Sequence, residues 1–341
     1  MPRLPKVSAI IVNWNGMEFL PTCLDSVFKQ SYKNMDVIVV DCASKDESVP
    51  FIKRNYPLAK VIELTQDLGP PHAINLAARE AQGEYILILN NDVYLPPDLV
   101  AKMEAELEKD ENCVINPIQL DFDGTFIGAG YPARDFGLQK FFKPEELRPF
   151  FSCTACCLVA KRIVGKNLFN ELFFLYEDVE WGWRLNLKNV PPKPLLNSYF
   201  LHKNAGTVVK GSLKQEKIAV YSFLATHYIC FKASTLTLLF PTIVFTLLKK
   251  LFLLCGRDFA LVNSFFRGFS RFVKYLPKLS QYKRKIQKER SVKSDLWILK
   301  MMIGSSLFLD HLKNHWRTNL RSLMEKEIQV NIDYLKKGFH E

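Results

Sequence analysis

Two clusters of polar residues in this 341-residue chain are of types and spacings that could do chemistry. The first is Asn90-Asn91-Asp92, which ends the apolar run Tyr85–Leu89 (YILIL). A carboxylate fixed at the end of a buried strand can hold Mg²⁺ or Mn²⁺ through oxygen, and a cation so held can neutralise a pair of phosphates with few protein ligands. Three polar residues after a strand are also the ordinary composition of a turn. The second cluster is Phe173-Phe174-Leu175-Tyr176-Glu177-Asp178-Val179-Glu180-Trp181-Gly182-Trp183-Arg184, three carboxylates among five aromatics. Acidic residues at a helix start meet its free N–H groups and its dipole, so Glu177 and Asp178 read as caps. A carboxylate in apolar surroundings also gains proton affinity, which is what a general base needs.

The elements that must position these clusters alternate along the first 120 residues. Val7–Val12 (VSAIIV) reads as a buried strand, and Leu20, Cys23, Leu24, Val27 and Phe28 then recur at helical spacing. Asp36–Val40 is a second strand, ended by Asp41, and Lys60–Leu64 a third; Ala73–Ala81 is helical, Tyr85–Leu89 a fourth strand, and Pro96-Pro97 opens a helix that runs to Lys109. Strands alternating with helices predict an α/β fold, a parallel sheet with helices on both faces. In such sheets ligands bind at the carboxyl ends of the strands, where Asn13, Asp41 and Asn90–Asp92 all fall. Residues 121–150 lose periodicity and read as loop-rich, Cys153–Ala160 is another apolar run, and Asp178–Lys188 reads as a helix stopped by Pro191-Pro192.

Composition narrows the function classes. Hydrophobic residues make 48% of the chain and charged residues 24%, the balance of a folded protein. The N-terminal apolar run is too short for a signal peptide. The eight cysteines lie mostly in apolar runs, which suggests a reducing compartment rather than a disulfide framework. Cys153, Cys156 and Cys157 have no second pair nearby with which to hold zinc. Asn13-Trp14-Asn15-Gly16 follows the first strand in place of a glycine-rich dinucleotide fingerprint, which argues against an NAD enzyme.

The net charge of +11 is concentrated. Residues 1–231 carry 25 Lys and Arg against 27 Asp and Glu, whereas residues 232–341 carry 21 against 8, which suggests a boundary near residue 230. The longest uncharged apolar run, Ala233–Leu248, has 16 residues, contains Pro241 and ends in Lys249-Lys250. A spanning helix needs about 20 apolar residues, so the run reads as monotopic or re-entrant. Phe259, Val262, Phe266, Phe269, Val273 and Leu276 then recur at intervals of 3, 4, 3, 4 and 3, with Arg257, Arg267, Arg271 and Lys274 around them. That is an amphipathic stripe with basic flanks, suited to an anionic membrane surface; the alternative is the core-facing side of a helical bundle. The basic run Lys283-Arg284-Lys285 with Lys288 and Arg290 favours lipid, and the aromatic and aliphatic content beside it disfavours nucleic acid.

Taken together these segments resemble the family 2 inverting glycosyltransferases, especially the rhamnosyltransferase-like branch of surface-polysaccharide enzymes. The resemblance covers residues 7 to 230. VSAIIVNWNG is similar to the family's opening strand and loop, VIVVDCASKDES to its second strand and turn, LGPPHAINLAAREAQGEYILILNNDVYLPPDL to its central motif, and FFLYEDVEWGWRLNLKN to its Glu-Asp helix. The resemblance implies a GT-A fold over residues 1–230, with a donor half of about 1–120 and an acceptor half of about 121–230; the charge and apolar pattern read above adds an amphipathic, membrane-associating helical region at 231–341. It implies nucleotide contacts from Asn13 and Asp41, with Asp67 and Asn75 lining the same pocket. Asn90-Asn91-Asp92 takes the place of the DXD motif, with Asn90 in place of its first acid and Asp92 as ligand to Mg²⁺ or Mn²⁺. His202 stands where some relatives supply a histidine to the metal, and Asp178 is the implied catalytic base; the aromatics around it would suit the apolar face of a sugar.

The implied activity is inverting transfer of a sugar from a dTDP- or UDP-sugar, dTDP-rhamnose among them. The acceptor is a hydroxyl of a glycan or of a polyprenyl-diphosphate-linked glycan, at the cytoplasmic face of a membrane. Two other readings stay open: a polyprenyl-phosphate monosaccharide synthase, and a non-catalytic nucleotide-sugar-binding module.

Overall fold

The computed structural model describes residues 4–128, 134–135, 138–139, 153–165, 167–174, 176–203, 212–256, 258–292 and 294–295. The chain builds the strands β1 (Val7–Asn13), β2 (Met35–Asp41), β3 (Lys60–Glu63), β4 (Tyr85–Asn90), β5 (Val93–Tyr94), β6 (Val114–Leu120), β7 (Phe126–Gly128), β8 (Arg134–Asp135), β9 (Leu138–Gln139), β10 (Cys156–Ala160) and β11 (Pro192–His202). Between and after them come the helices α1 (Leu20–Phe28), α2 (Ser48–Asn55), α3 (Pro70–Glu80), α4 (Leu99–Lys109), α5 (Lys161–Val164), α6 (Glu177–Leu187), α7 (Leu213–Cys230), α8 (Ala233–Cys255) and α9 (Phe259–Glu289). Much of the loop-rich stretch expected at 121–150, and the last part of the basic region from 296 on, lie outside the described residues.

Nine strands form one sheet in the order β3-β2-β1-β4-β10-β6-β11-β5, with β7 beside β6, and β8 and β9 pair separately as an antiparallel ribbon. The first four are parallel, as their alternation with helices requires. Alternate residues of each strand face opposite layers. Ala9, Ile11, Val37, Val39, Leu87 and Leu89 pack under α1 and α4, while Ile10, Ile38, Val40, Ile86 and Ile88 pack under α3. Both faces are thus covered, and the strands read as continuous apolar runs for that reason.

The parallel sheet expected from the first 120 residues is present in these four strands, and the later strands make the whole sheet mixed. Strand β10 enters antiparallel between β4 and β6, and β5 is antiparallel to β11. The antiparallel entry needs no crossover helix, and the chain reaches β10 from the excursion that follows β7. Strand β11 runs parallel to β6, with a register shift between Leu195 and Tyr199.

Helix α6 joins two cores. Its Trp181 and Leu185 pack with Phe169 against the sheet layer, whereas Trp183 and Leu187 meet Tyr221, Ala225 and Ile229 of α7 and Leu279 and Ile286 of α9. Helices α7 and α9 approach closely at Gly268, where a Cβ would lie 2.5 Å from the Lys217 carbonyl oxygen. The packing face of α9 is therefore Val262, Phe265, Gly268, Leu279 and Ile286. From the stripe read in the sequence, Phe259, Phe266, Phe269 and Val273 are instead exposed.

Candidate functional site

The parallel register brings the ends of three strands side by side. Asn13 pairs across to Asp41, and Val12 to Asn90, so all three polar residues stand at the carboxyl edge of the sheet. The side chains of Asn13, Asp41 and the neighbouring Asn91 are linked by hydrogen bonds that continue to the next loop. The Asn13 amide donates to Asp41 Oδ1 (2.8 Å) and accepts from Asn91 Nδ2 (2.8 Å). Asp41 also accepts from the Ser44 backbone N–H (2.9 Å) and hydroxyl (2.6 Å). Ser44 Oγ in turn accepts from the Asn15 N–H (2.8 Å). Asn13 and Asp41 are wholly buried. They form the floor of the site and fix the loops 13–17 and 41–46 by direct hydrogen bonds. Sequence reasoning missed Ser44, although it lies inside the turn that follows β2.

Asp67 and Asn75 act at the second edge of this floor. Asp67 is exposed and accepts from the Gly69 N–H (2.9 Å), one residue before α3. Gly69 has φ +88°, and a Cβ there would lie 2.8 Å from the Phe174 ring, so glycine is required both by backbone and by contact. Asn75 is wholly buried: it donates to the Phe169 carbonyl (2.9 Å) and to Glu171 Oε1 (3.0 Å), and its own carbonyl accepts from the Phe169 N–H (2.9 Å). Its amide thus clamps the segment 169–171 to α3. Because α3 starts at the carboxyl edge of the sheet, and Phe174 lies on Gly69, the start of α6 comes to the same rim.

That start carries the acidic cluster. Glu177, Asp178 and Glu180 all lie in the first turn of α6, after Tyr176 in the left-handed conformation at φ 62°. The three carboxylates have different surroundings. Glu180 is fully buried and holds Arg184 through both oxygens (3.0 and 3.1 Å), while Arg184 also donates to the Leu168 carbonyl (2.7 Å); this pair fastens the helix to the preceding loop. Glu177 is buried, and burial first, then the neighbouring Asp178, pushes its carboxyl up to about 8. Asp178 is half-buried, its Oδ1 accepting the Val179 N–H (2.8 Å).

The aromatics of this segment are not sugar platforms as a group. Phe173, Trp181 and Trp183 are fully buried, because helical spacing turns Trp181 to Phe169 (ring centroids 4.9 Å) and Trp183 to Phe231 (5.1 Å). Only Phe174 and Tyr176 keep partial exposure.

The third part of the site is joined across 110 residues. The short pairing of β5 with β11 sets His202 opposite Val93, next to Asp92. His202 Nε2 lies 3.1 Å from Asp92 Oδ1 and 3.3 Å from the Asn90 amide nitrogen, and its Nδ1 lies 2.7 Å from the amide nitrogen of Gln119. Gln119 accepts in turn from the Cys153 thiol (3.2 Å). A Gln119 that donates to Nδ1 leaves the imidazole proton on Nε2, toward Asp92. Rotating the same amide presents its oxygen to an N–H at Nδ1 and frees the Nε2 lone pair. Gln119 was missed in the sequence because β6, which carries it, has Pro117 and no clear alternation.

This donor set fits a divalent cation. Asp92 offers a carboxylate and His202 an imidazole, a mixture that suits Mn²⁺ and related ions better than an all-oxygen cage would. Among the described residues no third His, Cys, Asp or Glu joins them, so Asp92 and His202 are the two that would hold such an ion.

Residues 8–168 match the profile of glycosyl transferase family 2. An uncharacterised glycosyltransferase of Bacillus subtilis, YwdF, is 32% identical over 187 residues, which span 54% of this chain and 67% of YwdF. This chain belongs to glycosyl transferase family 2. It is also similar to the glycosyltransferase GlyG of Streptococcus pneumoniae, at 26% identity over 49% of this chain and 59% of GlyG. The match to a chondroitin synthase of Pasteurella multocida is 30% identical over 65% of this chain and 24% of the synthase, so the chain spans only a part of these two relatives. Among solved structures, GalNAc-T7 with UDP, GalNAc and Mn²⁺ superposes with a TM-score of 0.55 at 17% identity, over 67% of this chain and 48% of that one. The mannosyltransferase PcManGT of Pyrobaculum calidifontis, with GDP-Man and Mn²⁺, covers 98% of this chain and 87% of its own at a TM-score of 0.50 and 14% identity. The family member described here therefore has the GT-A fold, with the helical layer α7–α9 added to it.

Proposed function

We propose that this family 2 protein transfers a sugar, with inversion, from a nucleotide-diphospho-sugar to a hydroxyl of a growing glycan. The observation that carries the reading is the convergence of Asp92 and His202 at the strand edge already floored by Asn13, Asp41 and Asn91. Asp92 and His202 are the residues that would hold Mg²⁺ or Mn²⁺, and a cation there supplies neutralisation of the diphosphate. The loops 13–17 and 41–46, fixed by the Asp41 network, present backbone to the base and ribose, and exposed Asp67 borders the same edge. Asp178 takes the proton from the acceptor hydroxyl as that oxygen attacks the anomeric carbon from the face opposite the departing diphosphate. The buried carboxyl of Glu177 beside it is pushed up by burial and by Asp178.

A dTDP- or UDP-sugar is the proposed donor, and a glycan carried on a polyprenyl diphosphate the proposed acceptor. The similarity to a chondroitin synthase supports a polysaccharide product. Asp178→Asn tests the assignment of the base. The expected outcome is a loss of transfer by roughly 10²- to 10⁴-fold in kcat with nucleotide affinity unchanged. Wild-type turnover in that variant would remove Asp178 from the mechanism.

A further inference from the structure

Nine large apolar side chains are exposed along two consecutive helices. On α8 they are Leu238 (74% exposed), Phe240 (63%), Phe245 (56%), Leu248 (59%) and Phe252 (79%). On α9 they are Phe259 (85%), Phe266 (50%), Phe269 (44%) and Val273 (51%). Single exposed apolar residues are ordinary on a protein surface, but nine large ones on two helices in contact with each other mark an interaction surface. At about 100° per residue, the four on α9 fall within a sector of about 80°. Of the residues that pack α9, Phe265, Gly268 and Leu279 occupy a different sector, whereas the buried Val262 falls within that of the strip.

Charge identifies the partner. Arg267, Lys274 and Lys278 are exposed beside the strip, and Arg284, Lys285 and Lys288 continue it toward the end of α9. Residues 232–295 carry 14 Lys and Arg against 3 Asp and Glu. A second copy of this face would bring the same sign of charge. The chain from 296 to 341, with 7 Lys and Arg against 5 Asp and Glu, also has an excess of the same sign. An acidic lipid surface supplies both what the apolar strip and what the cations lack. Geometry agrees: α8 contains Pro241, and its halves Ala233–Pro241 and Ile243–Phe252 are bent by 50°. No single described helix is long and apolar enough to cross a membrane.

We propose that the α8–α9 face docks on an anionic lipid bilayer, its phenylalanines entering the boundary between headgroups and acyl chains and its cations holding the headgroups. The face lies on helices continuous with α7, which packs on α6, so docking would hold the site's rim beside lipid-borne acceptors. The inference does not depend on the transferase reading, because lipid binding is measured without turnover.

The test is co-sedimentation of the full chain with vesicles of phosphatidylcholine alone or with phosphatidylglycerol added. The wild type is expected to bind the anionic vesicles more tightly, and a high-salt wash to weaken that binding. The variant Phe245→Ser/Phe252→Ser/Phe266→Ser is expected to lose about tenfold or more in affinity with an unchanged thermal midpoint. A second variant, Arg267→Glu/Lys274→Glu, is expected to lose the preference for anionic vesicles. Wild-type protein that binds neither vesicle, or both equally, overturns the proposal, as does a triple variant that binds like wild type. So does a wild-type dimer that the triple substitution converts to a monomer without any vesicle binding, since the face would then join two copies.

Discussion

The strand edge and the outer side of the helical layer break the ordinary rule of inside and outside in opposite directions. At the edge, Asn13, Asp41 and Asp92 are polar and buried, and each lies within hydrogen-bonding distance of a residue far away in sequence. On α8 and α9, Phe240, Phe252 and Phe259 are large, apolar and exposed. Buried polar groups without partners cost stability, and exposed apolar groups gain none from the fold. What each region does with its exceptions is therefore different. The first converts them into a rigid, pre-shaped floor, and the second keeps them available for something outside the chain.

Substitution should separate the two regions sharply. Asn13→Ala removes the donor to Asp41 and the acceptor for Asn91 at once, leaving buried polar atoms unmatched, and should cost about 1–3 kcal/mol of folding stability in denaturant unfolding. Phe252→Ser, on the exposed side, should change stability by no more than about 0.5 kcal/mol. Equal losses in the two variants would mean that the exposed face is held by the fold after all.

A smaller effect sharpens the account of the rim. Glu177 is raised from its ordinary value to about 8 in the folded chain, so the native state binds its proton more tightly than the unfolded state does. Its contribution to stability is then fully present below the unfolded carboxylate range and is lost as pH rises toward 8. Thermal midpoints should fall across that window, and Glu177→Gln should flatten the fall. An unchanged slope in that variant would place the titration elsewhere.

The two regions were also unequally legible in the sequence. The runs VSAIIV, DVIVV and YILIL announce buried parallel strands, and the polar residues that end them announce the edge where ligands bind. Strand β11 gave no such signal, since PKPLLNSYFLH has two prolines, no alternation and a register shift in the middle. The strand is defined by its partner β6, and with it the meeting of His202 and Asp92 was invisible to local pattern. The same holds for Gln119 and for the Asn75 clamp, whose partners lie 83 and 94 residues away. The acidic cluster was visible as a cluster, but which of its carboxylates anchors Arg184 and which is pushed up by burial depended on the packing of α6. On α9 the period of 3.6 was plain, yet periodicity alone does not say whether a stripe faces a core or the outside. Gly268 and the close approach of α7 answer that.

The central claim is that Asp92 and His202 together complete a metal-dependent nucleotide site. The measurement that tests it most directly is calorimetric titration of UDP and of dTDP into the wild type, Asp92→Ala and His202→Ala, each with and without Mn²⁺. The account predicts that Mn²⁺ tightens binding of one nucleotide to the wild type and that either substitution removes most of that gain. Metal-enhanced binding that survives both substitutions would contradict it.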